Sequence, residues 1–105
     1  MRNNFINWLI AKSRSDNRIF LLTADLGYSV VEPFQQVFPD QFINVGVAEQ
    51  NMTGIAAGLA TEGFLPFTYS IGVFPTFRCA EQIRNDIDYH NLPVVTCTVG
   101  SGVAY

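Results

Sequence analysis

Glu49 is the residue whose sequence neighbours point most directly to chemistry. It stands ahead of Met52, Ile55 and Ala56, which recur at the spacing of one apolar helix face. A carboxyl group among apolar side chains loses solvation, which favours its neutral, proton-donating form. The alternative is an acidic side chain in the first turn of a helix, where the positive end of the helix dipole stabilises it. The spacing alone leaves both interpretations open.

A second group of candidates lies between the third apolar run of the chain and the helix predicted after it. Phe74 and Phe77 can stack on a planar ligand ring, although aromatic residues in such a segment more often pack in the core. Arg78 can bind a phosphate or a carboxylate, or it can simply solvate the start of a helix. His90 stands beside Asn91 at a predicted helix end without a nearby set of ligands, and we interpret it as a partner of the helix dipole.

Short apolar runs and helical spacings alternate along the chain. The apolar runs predict strands at residues 19–24, 42–45, 65–69 and 93–99. The helical spacings predict helices at residues 3–15, 29–37, 48–61 and 76–89, the last with Phe77, Ala80, Ile83 and Ile87 facing inward. Strands that alternate with helices form parallel βαβ units, so we predict an α/β fold with a doubly wound, mainly parallel sheet in an α/β/α sandwich. Because no helix follows the last strand, we expect one domain, residues 1–105, that is incomplete at its C-terminus.

Ligands of such folds bind at the carboxyl ends of the strands. Asp25 follows the first predicted strand, Glu49 follows the second, and the segment 69–78 follows the third. We therefore expect these features to lie along one edge of the sheet, where a site can form. Residues 100–102 predict a turn, since an isolated Gly-x-Gly is too short a pattern to indicate phosphate binding.

Two glycines interrupt the helix predicted at residues 48–61. Gly54 and Gly58 are four residues apart, and each costs the helix about 1 kcal/mol relative to alanine. Such a cost is understandable where another backbone packs closely on this face. Packing of the helix on its own sheet and contact with a partner both meet that condition.

The composition narrows the classes of function. The formal net charge of −3 does not provide the basic surface that nucleic acids and anionic membranes attract. No apolar run approaches the ~18 residues of a membrane span. Cys79 and Cys97 form no metal-binding or disulfide pattern, which favours a reduced, cytoplasmic setting. Only 14% of the residues are charged, against about 25% in typical domains, so we expect a partner to cover part of the surface.

Three segments together resemble the pyrimidine-binding domain of the transketolase family, which includes deoxyxylulose-phosphate synthases and the β subunits of 2-oxoacid dehydrogenases. The most specific segment is FINVGVAEQNMTGIAAGLATEGFLPF at residues 42–67. TADLG at residues 23–27 resembles the family's first strand and loop. YSIGVFPTFRCAEQIRND at residues 69–86 resembles its third strand, aromatic loop and following helix, in a form similar to stand-alone C-terminal-half subunits of transketolase-like enzymes.

The resemblance implies roles for the candidate residues. Glu49 aligns with the glutamate that hydrogen-bonds N1′ of the aminopyrimidine ring of thiamine diphosphate. In that role a neutral, buried carboxyl favours the imino tautomer of the ring, whose 4′ nitrogen takes the proton from C2 of the thiazolium. Phe74 is expected to stack on the pyrimidine and Phe77 to line the same pocket. Asp25 matches an acidic residue near the cofactor, and Arg78 is a tentative substrate contact.

The resemblance also implies an enzyme that needs a partner. We expect a transketolase-type transferase that moves a two-carbon ketol unit between sugars, active only when a complementary subunit holds the diphosphate and Mg²⁺, so that this chain supplies no metal ligand. A dimer is expected through the face of Gly54 and Gly58. The alternatives are another thiamine-diphosphate reaction, such as deoxyxylulose-phosphate synthesis or 2-oxoacid decarboxylation, and a non-catalytic α/β interaction module. The family's Thr-His pair would follow Tyr105, so we expect a fragment without a catalytic histidine, and His90 is not a substitute.

Overall fold

The computed structural model of the chain describes residues 1–103 and centres on a four-stranded parallel sheet in the order β2-β1-β3-β4. The strands are β1 (Ile19–Thr23), β2 (Phe42–Asn44), β3 (Leu65–Ile71) and β4 (Val95–Val99). In β1, Leu21 pairs with Phe42 of β2 on one side and with Phe67 of β3 on the other. The apolar runs therefore predicted all four strands. The loop predicted from residue 100 onward lies within the described residues only as far as Val103.

Helices cover both faces of this sheet. One face carries α1 (Arg2–Ser13) and α2 (Glu32–Val37), and the other carries α3 (Glu49–Thr61) and the helical segment at residues 77–88. The chain passes from β1 to β2 through α2 and then returns across β1 to β3 through α3, so the order of the strands reverses beside β1. The predicted doubly wound α/β/α fold is confirmed. Among the described helices, none is both long and apolar enough to cross a membrane.

Two hydrophobic clusters, one on each face, hold the layers together. On the side of α1 and α2, Leu9, Leu21 and Phe34 are completely buried. On the side of α3, Leu22 and Met52 are completely buried. Successive residues of a strand point to opposite faces, so Leu21 and Leu22 enter different clusters. This explains why β1 reads as a continuous apolar run and not as an alternating one.

The segment predicted as one helix at residues 76–89 has a different geometry. It consists of a 3₁₀ turn (Phe77–Cys79), a single α-helical turn, α4 (Ala80–Gln82), and a π-helical turn (Ile83–Asp88). These turns contain different numbers of residues, so a fixed apolar spacing no longer marks one face. Ile87 is buried as predicted, but the inward prediction is wrong for Phe77 and Ala80, which are exposed.

Candidate active site

Glu49 begins α3 at the carboxyl end of the sheet, just after the loop that leaves β2. The residue is only 4% exposed, so the predicted burial of its carboxyl group is observed. The N-cap residue, Ala48, has no polar side chain to cap the helix. Glu49 is the acidic residue in the first turn, at the positive end of the helix dipole. In the same turn, the hydroxyl of Thr53 donates a hydrogen bond to the Glu49 carbonyl oxygen over 3.1 Å. Glu49 is therefore both an acid in the first turn of a helix and a buried residue.

Arg78 connects Glu49 with Phe74. Its Nη1 lies 3.3 Å from Oε2 of Glu49, and its guanidinium carbon lies 4.4 Å from the centre of the Phe74 ring. The Arg78 side chain is 49% exposed and that of Glu49 is 5% exposed, so the pair spans the boundary between interior and solvent. The structure thus brings together residues that the sequence analysis had placed on separate segments, through a contact that it had not predicted.

A cavity of about 400 Å³ opens at this pair. It is lined by Val47, Ala48, Glu49, Gln50, Asn51 and Arg78. Gln50 is a residue of this cavity that the sequence analysis missed: its side-chain amide donates to the Arg78 carbonyl oxygen over 2.9 Å. This bond ties the backbone of Arg78 to the first turn of α3. In the sequence, only the position of Gln50 next to Glu49 indicates that it belongs to this site.

The aromatic loop after β3 is fixed at both ends. The N–H of Gly72 donates to the Val99 carbonyl oxygen over 2.8 Å, and the Thr98 hydroxyl donates to the Gly72 carbonyl oxygen over 2.7 Å. At the other end, Sγ of Cys79 lies 3.3 Å from the Phe74 carbonyl oxygen. Phe74 is therefore held beside Arg78. Phe77 is 82% exposed, and neither it nor Phe74 is among the residues that line the cavity of Glu49.

Asp25 lies at the same edge of the sheet, as predicted, but in a different cavity. That cavity measures about 170 Å³, and Glu32 and Asn44 also line it. Oδ1 of Asn44 accepts two backbone hydrogen bonds, from the N–H of Asp25 over 2.9 Å and from the N–H of Gly46 over 3.0 Å. These bonds connect the loops after β1 and β2. Backbone N–H groups, first that of Ser29, hold the pKa of Glu32 below its usual value. The structure does not bring Asp25 into the cavity of Glu49.

A larger cavity lies away from Glu49. It measures about 600 Å³, lies between the start of α1 and β4, and is lined mainly by apolar atoms. Tyr69 and Cys97 border it, and burial raises the pKa of both, that of Cys97 to about 11. Neutral groups of this kind are poor acids and bases near pH 7. Because its lining contains no carboxylate, we place the candidate site at the smaller cavity.

The glycine face of α3 is open. A Cβ atom built on Gly54 or Gly58 would have no heavy atom within 4 Å, apart from its own helix backbone and chain neighbours. Close packing of α3 on its own sheet therefore does not explain these two glycines within the described structure.

His90 is exposed just after the π-helical turn, where its ring meets that of Tyr89 edge to face at 5.3 Å. Throughout residues 1–103, no group of three or more His, Cys, Asp or Glu side chains is placed to hold a metal ion.

The whole chain, residues 1–105, matches the family model of the transketolase pyrimidine-binding domain. The chain belongs to the transketolase family. It is 41% identical over 95 residues to the 6-deoxy-6-sulfo-D-fructose transketolase subunit SqwH of Clostridium sp. (strain MSTE9), a match that covers 90% of this chain and 30% of that subunit. It is 39% identical over 104 residues to a putative transketolase C-terminal section of Methanocaldococcus jannaschii, with 98% of this chain and 33% of the relative covered.

Other family members are similar over the same region. Identity to the 1-deoxy-D-xylulose-5-phosphate synthase of Clostridium perfringens is 35% over 98 residues, covering 90% of this chain and 15% of that enzyme. A solved split-gene transketolase, described as an inactive β4 tetramer, superposes with a TM-score of 0.80 at 40% identity, over 88% of this chain and 31% of the solved one. The resemblance drawn from the sequence is confirmed. The chain spans about a third of the length of the transketolase relatives it matches.

The family is thiamine-diphosphate-dependent, and the residues around Glu49 fit an aminopyrimidine ring. A buried carboxyl group offers one hydrogen bond to a ring nitrogen, and an aromatic face lies close by on Phe74. Arg78 links the two, since it lines the cavity with Glu49 and lies over the Phe74 ring, at the carboxyl end of the sheet.

Proposed function

We propose that this chain is the pyrimidine-binding part of a thiamine-diphosphate-dependent, transketolase-like transferase that moves a two-carbon ketol unit between sugars. The observation that carries the proposal is Glu49, a carboxyl group that is 4% exposed at the opening of a cavity beside Arg78 and Phe74. Relatives named as transketolases share 41% and 39% identity with the chain, against 35% for the deoxyxylulose-phosphate synthase. That order favours ketol transfer over deoxyxylulose-phosphate synthesis.

In this proposal Glu49 and Phe74 hold the cofactor's ring. Glu49, in its neutral form, would donate a hydrogen bond to ring nitrogen N1′ and so hold its own proton against that atom. Its burial strengthens the bond because water does not compete for it. Phe74 offers a flat apolar face for stacking. When bound, thiamine diphosphate supplies the carbon nucleophile that carries the two-carbon unit.

Phe77 and Asp25 are proposed as outer contacts of the same cofactor. Both lie in segments that follow strands, at the edge of the sheet where Glu49 lies, but outside the cavity of Glu49. Phe77 is 82% exposed, which suits a side chain that is covered only when the rest of the site is assembled.

A complementary subunit is proposed to complete the site and to hold the diphosphate and Mg²⁺. Large apolar side chains at the strand ends support this part of the proposal, since Tyr28 is 90% exposed, Val47 is 76% exposed and Phe77 is 82% exposed. Val47 lines the cavity of Glu49 and Tyr28 lines that of Asp25, and exposed apolar side chains beside polar cavities are typical of an interface. We propose a dimer contact at the open face of Gly54 and Gly58, and a cytoplasmic setting that keeps the thiols of the chain reduced.

The test uses the complete subunit, co-expressed with its diphosphate-binding partner. Glu49→Gln keeps the shape of the side chain but removes its acid, so we expect calorimetric binding of thiamine diphosphate with Mg²⁺ to persist while ketol transfer falls by about 10²- to 10⁴-fold. Glu62→Gln is the matched control, because Glu62 is exposed just past the other end of α3. Full transfer activity in Glu49→Gln would contradict the proposal. Absence of cofactor binding in the wild-type pair would favour a non-catalytic interaction module.

A further inference from the structure

We propose that Arg78 occupies the place of the aminopyrimidine ring in the cofactor-free subunit and competes with that ring for Glu49 and Phe74. The inference rests on the proposed function, because it takes Glu49 and Phe74 as the groups that receive the ring. It replaces the substrate contact expected for Arg78 from the sequence by a role in cofactor binding.

The contacts of Arg78 are the starting point. One nitrogen of the guanidinium, Nη1, lies 3.3 Å from Oε2 of Glu49, while the guanidinium carbon lies 4.4 Å from the centre of the Phe74 ring. A single planar group therefore bridges the carboxyl group and the aromatic face. A pyrimidine ring that bonds Glu49 through an edge nitrogen and stacks on Phe74 would need the same space.

The two occupants are chemically alike. A guanidinium is flat and delocalised, it donates hydrogen bonds from its edge, and it stacks on aromatic faces. An aminopyrimidine is also flat and offers nitrogen atoms at its edge. The difference lies in the charge: Arg78 pairs with the ionised form of Glu49, whereas N1′ accepts a hydrogen bond from the neutral form. The guanidinium must leave before Glu49 can serve the ring.

The geometry allows this exchange without movement of the main chain. Gln50 fixes the Arg78 carbonyl oxygen at 2.9 Å, so the backbone stays against α3. The Arg78 side chain is 49% exposed and can rotate toward solvent. Partly exposed ion pairs and cation–π contacts are individually weak, so the guanidinium is easily displaced. While it is in place, it leaves no unpaired charge on the buried carboxyl group of Glu49.

The experiment compares variants of the complete subunit with its partner, titrated with thiamine diphosphate and Mg²⁺. Arg78→Met removes the competitor, and we expect the dissociation constant to fall by about three- to tenfold, the range expected for a partly exposed pair of contacts. We also expect the cofactor-free Arg78→Met subunit to unfold at lower urea concentration, because Glu49 loses its partner. A purely structural role would not tighten binding while it lowers stability. Arg84→Met, which makes the same change of charge at another exposed position, should change neither quantity.

The conservative variant separates charge from shape. Arg78→Lys keeps the positive charge but cannot lie flat on Phe74, so its affinity for the cofactor should lie between those of the wild type and Arg78→Met. This variant also provides the test if Arg78→Met does not fold. Unchanged or weaker cofactor binding in the Arg78 variants would overturn the inference.

Two further variants distinguish failure of this inference from failure of the proposed function. Phe74→Ala removes the stacking face, and it should weaken cofactor binding whether or not Arg78 competes. If Phe74→Ala weakens binding and Arg78→Met does not tighten it, the inference alone fails. If Phe74→Ala and Glu49→Ala both leave binding unchanged, the ring does not bind here, and the proposed function and the inference fail together.

Discussion

Gly58→Ala is expected to stabilise the complete subunit on its own and to weaken its association with the proposed partner. Gly58 lies within α3, and apart from its own helix backbone and chain neighbours, a Cβ at this position would meet no heavy atom of the described residues within 4 Å. Alanine is favoured over glycine inside a helix by about 0.5–1 kcal/mol, mainly because an alanine residue has less backbone conformational freedom to lose when the chain folds. With no clash to offset it, this gain should appear in full. The same reasoning applies to Gly54, so the double variant should gain about 1–2 kcal/mol.

The opposite effect is expected in the assembly. If a partner backbone packs against this face, one added methyl group costs about 1–3 kcal/mol, the usual range for overpacking a tight contact. That cost corresponds to a dissociation constant raised by about 5- to 150-fold. Urea denaturation of the subunit alone measures the first effect, and sedimentation equilibrium of the pair measures the second. Thr61→Ala is the control, since it alters an exposed residue of the same helix and adds no atom to the glycine face.

Two results would refute this reasoning at different points. If the subunit becomes more stable while the association of the pair is unchanged, the glycine face is not part of the interface. A less stable Gly58→Ala subunit would contradict the open glycine face from which the gain in stability is argued.

Further predictions concern the loop after β1 and the edge strand. Gly27 has φ +92°, and a Cβ there would lie 2.9 Å from Cγ1 of Val31 and 3.1 Å from the Tyr69 ring, so Gly27→Ala should lower the free energy of unfolding by about 2–4 kcal/mol. Urea denaturation checks this value, and an unchanged midpoint would contradict it. Burial raises the pKa of Cys97 to about 11, whereas an unfolded thiol titrates near ~8.5. Above about pH 8.5 the unfolded thiol ionises while the folded one stays neutral, which favours unfolding. The contribution of Cys97 to the free energy of unfolding is therefore complete below about pH 8.5 and is lost as the pH rises toward about 11. Denaturation of wild type and Cys97→Ala from pH 7 to pH 10.5 tests this, and parallel curves would contradict it.

The sequence was most informative where one physical requirement dominates. A strand buried on both faces is apolar at nearly every position, so the run at Ile19–Thr23, in which only Thr23 is polar, could be recognised without knowledge of its neighbours. The burial of Glu49 was predictable for a similar reason, because its own helix places apolar residues around it. Position after a strand was enough to place Asp25 and Glu49 on one edge of the sheet.

The sequence was less informative where geometry depends on distant contacts. The turns between Phe77 and Asp88 change from 3₁₀ to α to π while they pack against α3, and local apolar spacing carries no record of that change. The exposure of Phe77 follows from it. The contact between Glu49 and Arg78 joins residues 29 positions apart and depends on how this segment crosses the start of α3. Charge alone could not identify Arg78 as the partner among the basic residues of the chain.

The central claim is that Glu49 activates a thiamine cofactor, and the most direct measurement is the exchange of its C2 proton with deuterium in the assembled, cofactor-loaded pair. The exchange rate can be followed by quenching in acid and NMR of the released cofactor, without any sugar substrate. The account predicts an exchange about 10²- to 10⁴-fold slower in Glu49→Gln than in the wild type, with Glu62→Gln unchanged. Equal exchange rates in Glu49→Gln and the wild type would contradict it.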